Sequence, residues 1–375
     1  MDFILIIIAC FLSAVFPAAL YFYLPFLILY SVIIRRSILL NRITSLYIYS
    51  FLIVLVFFGI HSLISGGVQF IFLKGILRYF SYLSFVLYVS TLNRHMISLI
   101  FKAVILFFVF SLPLALFQIN IIGRYQNIFA HANHFSYVLM ICLYFVFRYK
   151  VFNYKIRPII IFILLFSLIL ASSSGAILTV LVLILYHYIS RNKRNFVKFL
   201  FTSIILFGIV LAISFTDKIS SQIESLQYID FKFIYNKAQL YDPGGYGSFV
   251  WRLVYWMQIL QSFLSNNSLV LLFGEGIDTL TKDNYLYSFM YTDPHNDYLK
   301  ILVEFGFIGL SLLFLFLNRI YRIFRRYDIL IIFMVPLFFA NIIVNWPFNI
   351  FIVLYLIFEL YSKNDKETIL LKQDR

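Results

Sequence analysis

The chain has 375 residues, of which 63% are hydrophobic and only 12% are charged, and its mean hydropathy is +0.94. A soluble globular protein is about half apolar and about a quarter charged, so this composition excludes a soluble domain and indicates a helical protein that crosses a membrane several times. The net charge of +14 does not indicate nucleic-acid binding, because the basic residues cluster in short loops between apolar runs, as in membrane proteins.

Apolar runs divide most of the chain into predicted membrane helices. Twelve runs predict about twelve spans, although several are shorter than the roughly 20 residues that usually cross a bilayer. They lie at 3–16, 18–34, 44–60, 70–90, 97–117, 135–147, 158–171, 176–189, 199–215, 297–317, 329–344 and 347–361. Residues 1–215 thus hold spans one to nine, 216–296 form the one long polar segment, 297–361 hold spans ten to twelve, and 362–375 form a charged tail. We predict an all-α polytopic membrane protein.

The lysines and arginines of the short loops predict the orientation. Most of them follow the even-numbered spans or lie in the tail. Because basic loops stay in the cytoplasm, we expect both termini there. The long segment 216–296 then lies on the opposite side of the membrane, in the periplasm if the source is Gram-negative.

The fourth predicted span contains two cations, Lys74 and Arg78. Their spacing of four residues places both on one helix face. A cation inside a span is costly and usually faces a cavity or a partner. We therefore take both as candidates for substrate binding. The alternatives are snorkelling to the membrane surface or pairing with another helix for structure alone.

Three polar stretches are predicted on the side of the long segment. The first, residues 123–135, contains Arg124, His131 and Asn133 just before the sixth span. The alternative interpretation is a polar loop whose histidine and asparagine cap that helix.

The second stretch has a helical, amphipathic pattern from Ser248 to Phe263, which predicts a helix lying on or against the membrane. Arg252 is its only cation. A snorkelling arginine is the structural alternative for this residue.

The third stretch leads into span ten. Asp293 and Pro294 predict a turn, and an apolar helical pattern begins at Asp297. His295 and Asn296 then stand at the mouth of a helix, where backbone N–H groups are free and the helix dipole is positive. Glu304 lies about 13 Å further along the helix, at about 1.5 Å per residue. A carboxylate at that depth needs a partner or a wet cavity.

These stretches resemble the O-antigen polymerase/ligase family, which consists of bacterial polytopic membrane glycosyltransferases that are GT-C-like. The resemblance is carried by Arg124, Phe129, His131 and Asn133, by Ser248, Arg252, Trp256, Gly274 and Gly276, and by His295, Asn296, Leu299, Glu304, Gly306, Gly309 and Leu310. The chain departs from the family where Asn127 replaces a usual glycine, Ala132 a usual proline, and Ser174 a usual arginine. The last departure puts the phosphate-binding cations in question, and Arg124, Lys74 or Arg78 could substitute.

The resemblance implies roles for particular residues. Arg124 and Arg252 are expected to bind the pyrophosphate of a lipid-linked donor, and His295 to act on the acceptor hydroxyl. The residues expected to bind substrate are Lys74, Arg78, His131, Asn133, Asn296, Asp297 and Glu304. We expect inverting transfer with no metal and no cofactor, although Asp293 and Asp297 flank His295 and leave a metal site open.

The function that the resemblance favours is polymerisation of undecaprenyl-pyrophosphate-linked repeat units at the bacterial inner membrane. Expected partners are that glycan, membrane lipid, and a chain-length regulator and flippase of the same pathway, with no nucleic acid. The first alternative is an O-antigen ligase that transfers glycan to lipid A-core. The second is a polysaccharide flippase, which the single asymmetric loop and the one-sided polar residues disfavour, because transporters tend to show two similar halves.

Overall fold

A computed structural model describes residues 1–33, 40–67, 69–122, 124–149, 151–191, 247–280, 286–287 and 293–373. All regular secondary structure in these residues is helical, which confirms the all-α prediction. The predicted span at 199–215 lies outside the described residues, as does 216–246 of the long segment.

The helices are numbered here as they occur in the described residues. Those before the long gap are α1 (Asp2–Val15), α2 (Leu20–Ile33), α3 (Arg42–Ile64), α4 (Phe70–Val89), α5 (Arg94–Phe110), α6 (Leu114–Ile122), α7 (Ala132–Arg148), α8 (Arg157–Leu170) and α9 (Ser174–Arg191). Those after it are α10 (Gly247–Leu264), α11 (Ser268–Phe273), α12 (Asp297–Phe324), α13 (Tyr327–Phe339) and α14 (Trp346–Gln373). Helix α10 confirms the helix predicted around Arg252.

Among the described residues, three helices are long and apolar enough to cross a membrane, namely α3, α4 and α12. Shorter apolar helices such as α7 and α8 accompany them, and the count of twelve spans stays a prediction. Proline explains one difference from the sequence analysis: the run 97–117 divides into α5 and α6 at Pro113, which has no N–H to continue a helix. At the other end, α14 continues through most of the predicted tail.

Helices α7 and α14 form the centre of the bundle. Nearly every side chain of α14 from Trp346 to Leu360 is buried, and α14 packs on α1, α4, α5 and α7. A helix that is apolar on all sides is expected in such a position. In α3, by contrast, only 22% of its 18-residue apolar stretch is buried, so most of this helix is left to face lipid.

Helix α12 is interrupted at Gly306, whose φ of 66° is left-handed. A Cβ atom at Gly306 would overlap the backbone of Leu272, so only glycine fits this close approach. Gly274, with φ of 90°, approaches the Glu304 carbonyl from the other side in the same way. Gly274 and Gly306, which carry the family resemblance in two separate stretches, therefore meet at one point.

The segment after α11 closes the gap that the break leaves in α12. The N–H of Glu275 donates to the carbonyl of Val303 at 2.8 Å, and that of Gly276 donates to the carbonyl of Glu304 at 3.3 Å. A break would otherwise leave such carbonyls without partners in an apolar environment. Residues 274–280, called the wedge below, thus complete the helix.

Candidate active site

Basic side chains from separate parts of the chain meet at the end of the bundle where α7 and α12 begin. We call Arg124, His131, Arg252 and His295 the basic cluster. Arg124 follows α6, His131 precedes α7, Arg252 lies on α10 and His295 precedes α12. They are close enough for their charges to act on one another, so the structure brings together the three residues predicted to be catalytic.

Arg124 connects the loop before α7 to the end of α8. Its Nε and Nη2 donate to the Ala171 carbonyl at 3.0 and 2.8 Å, and Nη2 also donates to the Ser172 carbonyl at 3.0 Å and to Asn133 Oδ1 at 2.9 Å. These carbonyls end α8, where the helix dipole is negative. Burial, and after it the charge of Arg252, lower the pKa of Arg124. Its Nη1 makes no hydrogen bond to the described residues and is available to a ligand.

Arg252 is partly buried on α10, and its Nε has no hydrogen-bond partner in the part of the chain that the structure describes. Burial lowers the pKa of this guanidinium. One turn later, Trp256 Nε1 donates to the Pro294 carbonyl at 2.5 Å. The helix that carries Arg252 is therefore tied to the residue just before His295.

Neither arginine of the basic cluster forms an ion pair with a carboxylate of the described residues. Leaving a charge buried without a partner costs several kcal/mol. Arg124 and Arg252 are partly buried, and two guanidiniums near each other without a carboxylate partner attract an anion. Arginine suits phosphate groups in particular, because its planar donors can bind two oxygens at once.

His295 has a left-handed backbone, with φ of 51°. Such a conformation costs about 1–3 kcal/mol for a residue other than glycine and is frequent at functional sites. Burial, and after it the charge of Arg252, lower the pKa of His295 to about 4, against the opposing effect of Asp293. The imidazole is therefore neutral at pH 7 and can accept a proton.

The two remaining predicted residues of the first stretch support this arrangement. His131 Nδ1 accepts a hydrogen bond from the Asn133 N–H at 3.1 Å, so the helix cap is His131, while the Asn133 side chain accepts from Arg124. Partial desolvation, followed by the charge of Arg124, lowers the pKa of His131. Both residues hold the loop that presents Arg124.

A second charged group lies where the wedge meets α4 and α12. Arg78 donates to both Asp278 oxygens at 2.6 and 2.8 Å, Lys300 pairs with Glu304 at 2.5 Å, and Lys300 Nζ is 3.8 Å from Asp278. We call these four residues the buried ion network, since each is at most 7% exposed. The predicted substrate-binding residues Arg78 and Glu304 thus have protein partners, and Lys74 is exposed one turn before Arg78.

Asn296 and Asp297 are engaged with backbone groups. The Asn296 side chain caps α12 by accepting from the Leu299 N–H at 3.0 Å. Asp297 is fully buried and accepts from the Ile343 N–H at 3.0 Å, which ties the start of α12 to the turn between α13 and α14. Substrate binding by these two residues stays a prediction.

Two charged residues of the network, Lys300 and Asp278, were not singled out in the sequence. A signal for Lys300 was present, because it precedes Glu304 by four residues and that spacing pairs opposite charges on a helix. Asp278 closely follows the Gly274–Gly276 motif, but nothing local in the sequence indicates that its partner is Arg78, 200 residues away.

Residues 159–314 match a model of the family described as O-antigen ligase. This part of the chain is similar to the O-antigen ligase family. The match confirms the resemblance to the O-antigen polymerase/ligase family, whose members are membrane glycosyltransferase-like enzymes. It includes Arg252 and His295, whereas Arg124 and Arg78 precede it. A search of curated proteins found no match to the chain.

Proposed function

We propose that this member of the O-antigen ligase/polymerase family is an O-antigen polymerase. It would join oligosaccharide repeat units carried on undecaprenyl pyrophosphate, on the periplasmic side of the bacterial inner membrane, with both of its termini in the cytoplasm. The observation that supports this proposal is the pair Arg124 and Arg252, two neighbouring guanidiniums without a carboxylate partner in the described residues, next to the neutral His295.

In the proposed reaction, Arg124 and Arg252 bind the pyrophosphate of the donor. The acceptor hydroxyl oxygen attacks the anomeric carbon, and the bond from that carbon to the pyrophosphate oxygen breaks on the opposite face, with inversion. The hydroxyl proton passes to His295, and the electron pair leaves with the lipid pyrophosphate. Stabilisation of this developing negative charge by preorganised donors is usually the largest catalytic contribution.

Donor binding would prepare His295 for this role. The free protein holds its pKa at about 4, in part through Arg252. A bound pyrophosphate offsets the charge of Arg252, and a nearby anion favours the protonated imidazole. The histidine thus becomes a stronger base only when the donor is in place, which limits unproductive protonation.

The proposed chemistry uses side chains alone and needs no metal or cofactor. Asp293 and Asp297 flank His295, so the purified protein should be assayed with and without a chelator. Activity that survives exhaustive chelation supports the proposal, and activity that is lost and returns with a divalent cation contradicts it.

The second candidate is an O-antigen ligase, which would transfer the same glycan to a sugar of lipid A-core. The matched family carries that description, and the basic cluster suits the same donor in both reactions. The two functions differ in the acceptor. The chain-length regulator and flippase expected from the resemblance would be partners of either activity.

A lipopolysaccharide gel from a deletion strain tests the proposal. The strain is complemented with wild type, His295→Ala, Arg252→Ala or Arg124→Ala at matched expression. We expect the mutants to retain one core-linked repeat unit and lose the ladder, as for a polymerase. Loss of all core-linked repeats, with long lipid-linked chains accumulating, would indicate a ligase. Normal ladders from all three mutants would contradict the site. Purified protein that leaves the glycan unchanged would favour a flippase.

A further inference from the structure

The first two turns of α12 form a block that is separate from the rest of that helix. The helical backbone is interrupted at Gly306, so the helix that follows does not fix the position of residues 297–305. His295 precedes this block by two residues. Whatever fixes the block therefore also fixes the histidine of the basic cluster.

The buried ion network fixes the block to the wedge. Lys300 Nζ donates to the Leu280 carbonyl at 3.1 Å and to Glu304 Oε1 at 2.5 Å, and the same Glu304 oxygen accepts from the Leu280 N–H at 3.0 Å. One pair of side chains on α12 thus holds both backbone groups of Leu280. Asp278 then joins the wedge to Arg78 on α4.

A short path connects this network to His295. The Lys300 N–H donates to the Asn296 carbonyl at 3.0 Å, and Asn296 caps the helix with its side chain. On the other side of His295, the Pro294 carbonyl accepts from Trp256 on the helix of Arg252. The histidine is therefore held between the arginine helix and the network.

We propose that Lys300 and Asp278 are positioning residues that set His295 relative to Arg252. Neither belongs to the basic cluster, and both act by fixing the start of α12. This inference rests on the proposed function and adds two residues to it. Because a displacement of about 1 Å in a reacting group can lower a rate by about 100-fold, we expect the network to affect turnover more than binding.

The test is steady-state kinetics of purified protein in detergent with the lipid-linked repeat unit isolated from source cells. Lys300→Met and Asp278→Asn should lower kcat by about 10- to 100-fold, with KM within about threefold of wild type. The matched control is Asp328→Asn. Asp328 is as buried as Asp278, at 3%, and pairs with Arg326 at the far end of α12. We expect kcat of this control within about threefold of wild type.

A double variant separates positioning from folding. Lys300→Gln with Glu304→Gln removes the pair without leaving an unmatched charge, so thermal stability should return towards wild type. If the network positions His295, kcat stays low in this folded variant. If it serves stability alone, kcat recovers together with the melting temperature, and that recovery would overturn the inference. Wild-type kcat in Lys300→Met and Asp278→Asn would overturn it as well.

Arg252→Ala and His295→Ala, measured in the same assay, keep the two proposals distinguishable. If both lose activity while the network variants keep it, only the inference fails. If both retain full activity, the proposed site fails and the inference fails with it. Loss in both sets, with the Asp328→Asn control active, is the result that we expect.

Discussion

The basic cluster and the buried ion network use similar residues in opposite ways. The network contains Arg78 and Lys300 together with two carboxylates, and each charge has a partner within 4 Å. In the basic cluster, neither Arg124 nor Arg252 pairs with a carboxylate of the described residues. In an apolar protein a matched group can be purely structural, whereas an unmatched one is costly until a ligand of opposite charge binds. The contrast therefore separates charges that are paired within the fold from charges to which we assign substrate binding in our proposal.

The largest expected effect is on activity at the unmatched group. Arg252→Ala should lower kcat/KM by about 10²- to 10³-fold, because removal of one donor to a developing anion has that magnitude. Arg252→Lys should recover only part of the loss, since lysine keeps the charge but not the paired donors. Kinetics with the purified protein measure both. Equal activity of the alanine variant and wild type would contradict the proposed role of Arg252 in the reaction.

At the matched group, the largest effect should be on stability. Arg78→Met leaves the buried Asp278 carboxylate with Lys300, 3.8 Å away, as its remaining ion-pair partner. Removal of one partner of a buried ion pair costs about 3–5 kcal/mol. Arg252→Met removes an unmatched charge, so its stability should equal or exceed that of wild type. Thermal unfolding in detergent compares the two. A similar loss of stability in both variants would contradict the distinction between the matched charges of the buried ion network and the unmatched charges of the basic cluster.

A smaller effect is expected at the helix break. Gly306→Ala places a Cβ atom against the backbone of Leu272 at a left-handed φ, which should cost at least about 1–2 kcal/mol. Gly309→Ala is less suitable as a control, because Phe305 crowds that position too. Gly59→Ala is suitable, since nothing lies within 4 Å of the added atom. If Gly306→Ala unfolds at the same temperature as Gly59→Ala, the close approach of α11 to Gly306 is wrong.

The smallest expected effect is the pH dependence of stability at His295. Its pKa falls from 6.5 to about 4 on folding, so between these values the unfolded chain binds a proton that the folded protein does not. The stability that depends on neutral His295 is present above pH 6.5 and is lost as pH falls towards 4. His295→Gln should therefore lose less stability than wild type between pH 7 and 5, as thermal unfolding would measure. Identical pH profiles would contradict the burial of this imidazole beside Arg252.

The sequence predicted much of the local structure because apolar runs and helix signals are local. It placed the start of α12 at Asp297 and predicted the helix around Arg252. It also predicted that Arg124, Arg252 and His295 share one side of the membrane, since topology alone requires that. Their position next to one another is a finding of the structure.

What the sequence did not predict depends on distant contacts. The apolar pattern of α12 runs through Gly306 without interruption, and only the approach of α11 and the wedge explains the break. For Arg78 the sequence left substrate binding and pairing with another helix both open, because its partner, Asp278, lies 200 residues away. Pairings of that kind follow from tertiary packing, which no local pattern encodes.

The central claim is that Arg252 belongs to an anion-binding site, and binding of inorganic pyrophosphate tests it most directly. A ligand at 100 times its Kd stabilises the folded protein by about 2.7 kcal/mol, so pyrophosphate should raise the melting temperature of wild type. Sodium chloride at equal ionic strength serves as the control for salt. Arg148→Met, which alters a matched group at the other end of α7, should respond as wild type does, and Arg252→Met should not respond. An equal shift in Arg252→Met, or no shift in wild type, would contradict the account.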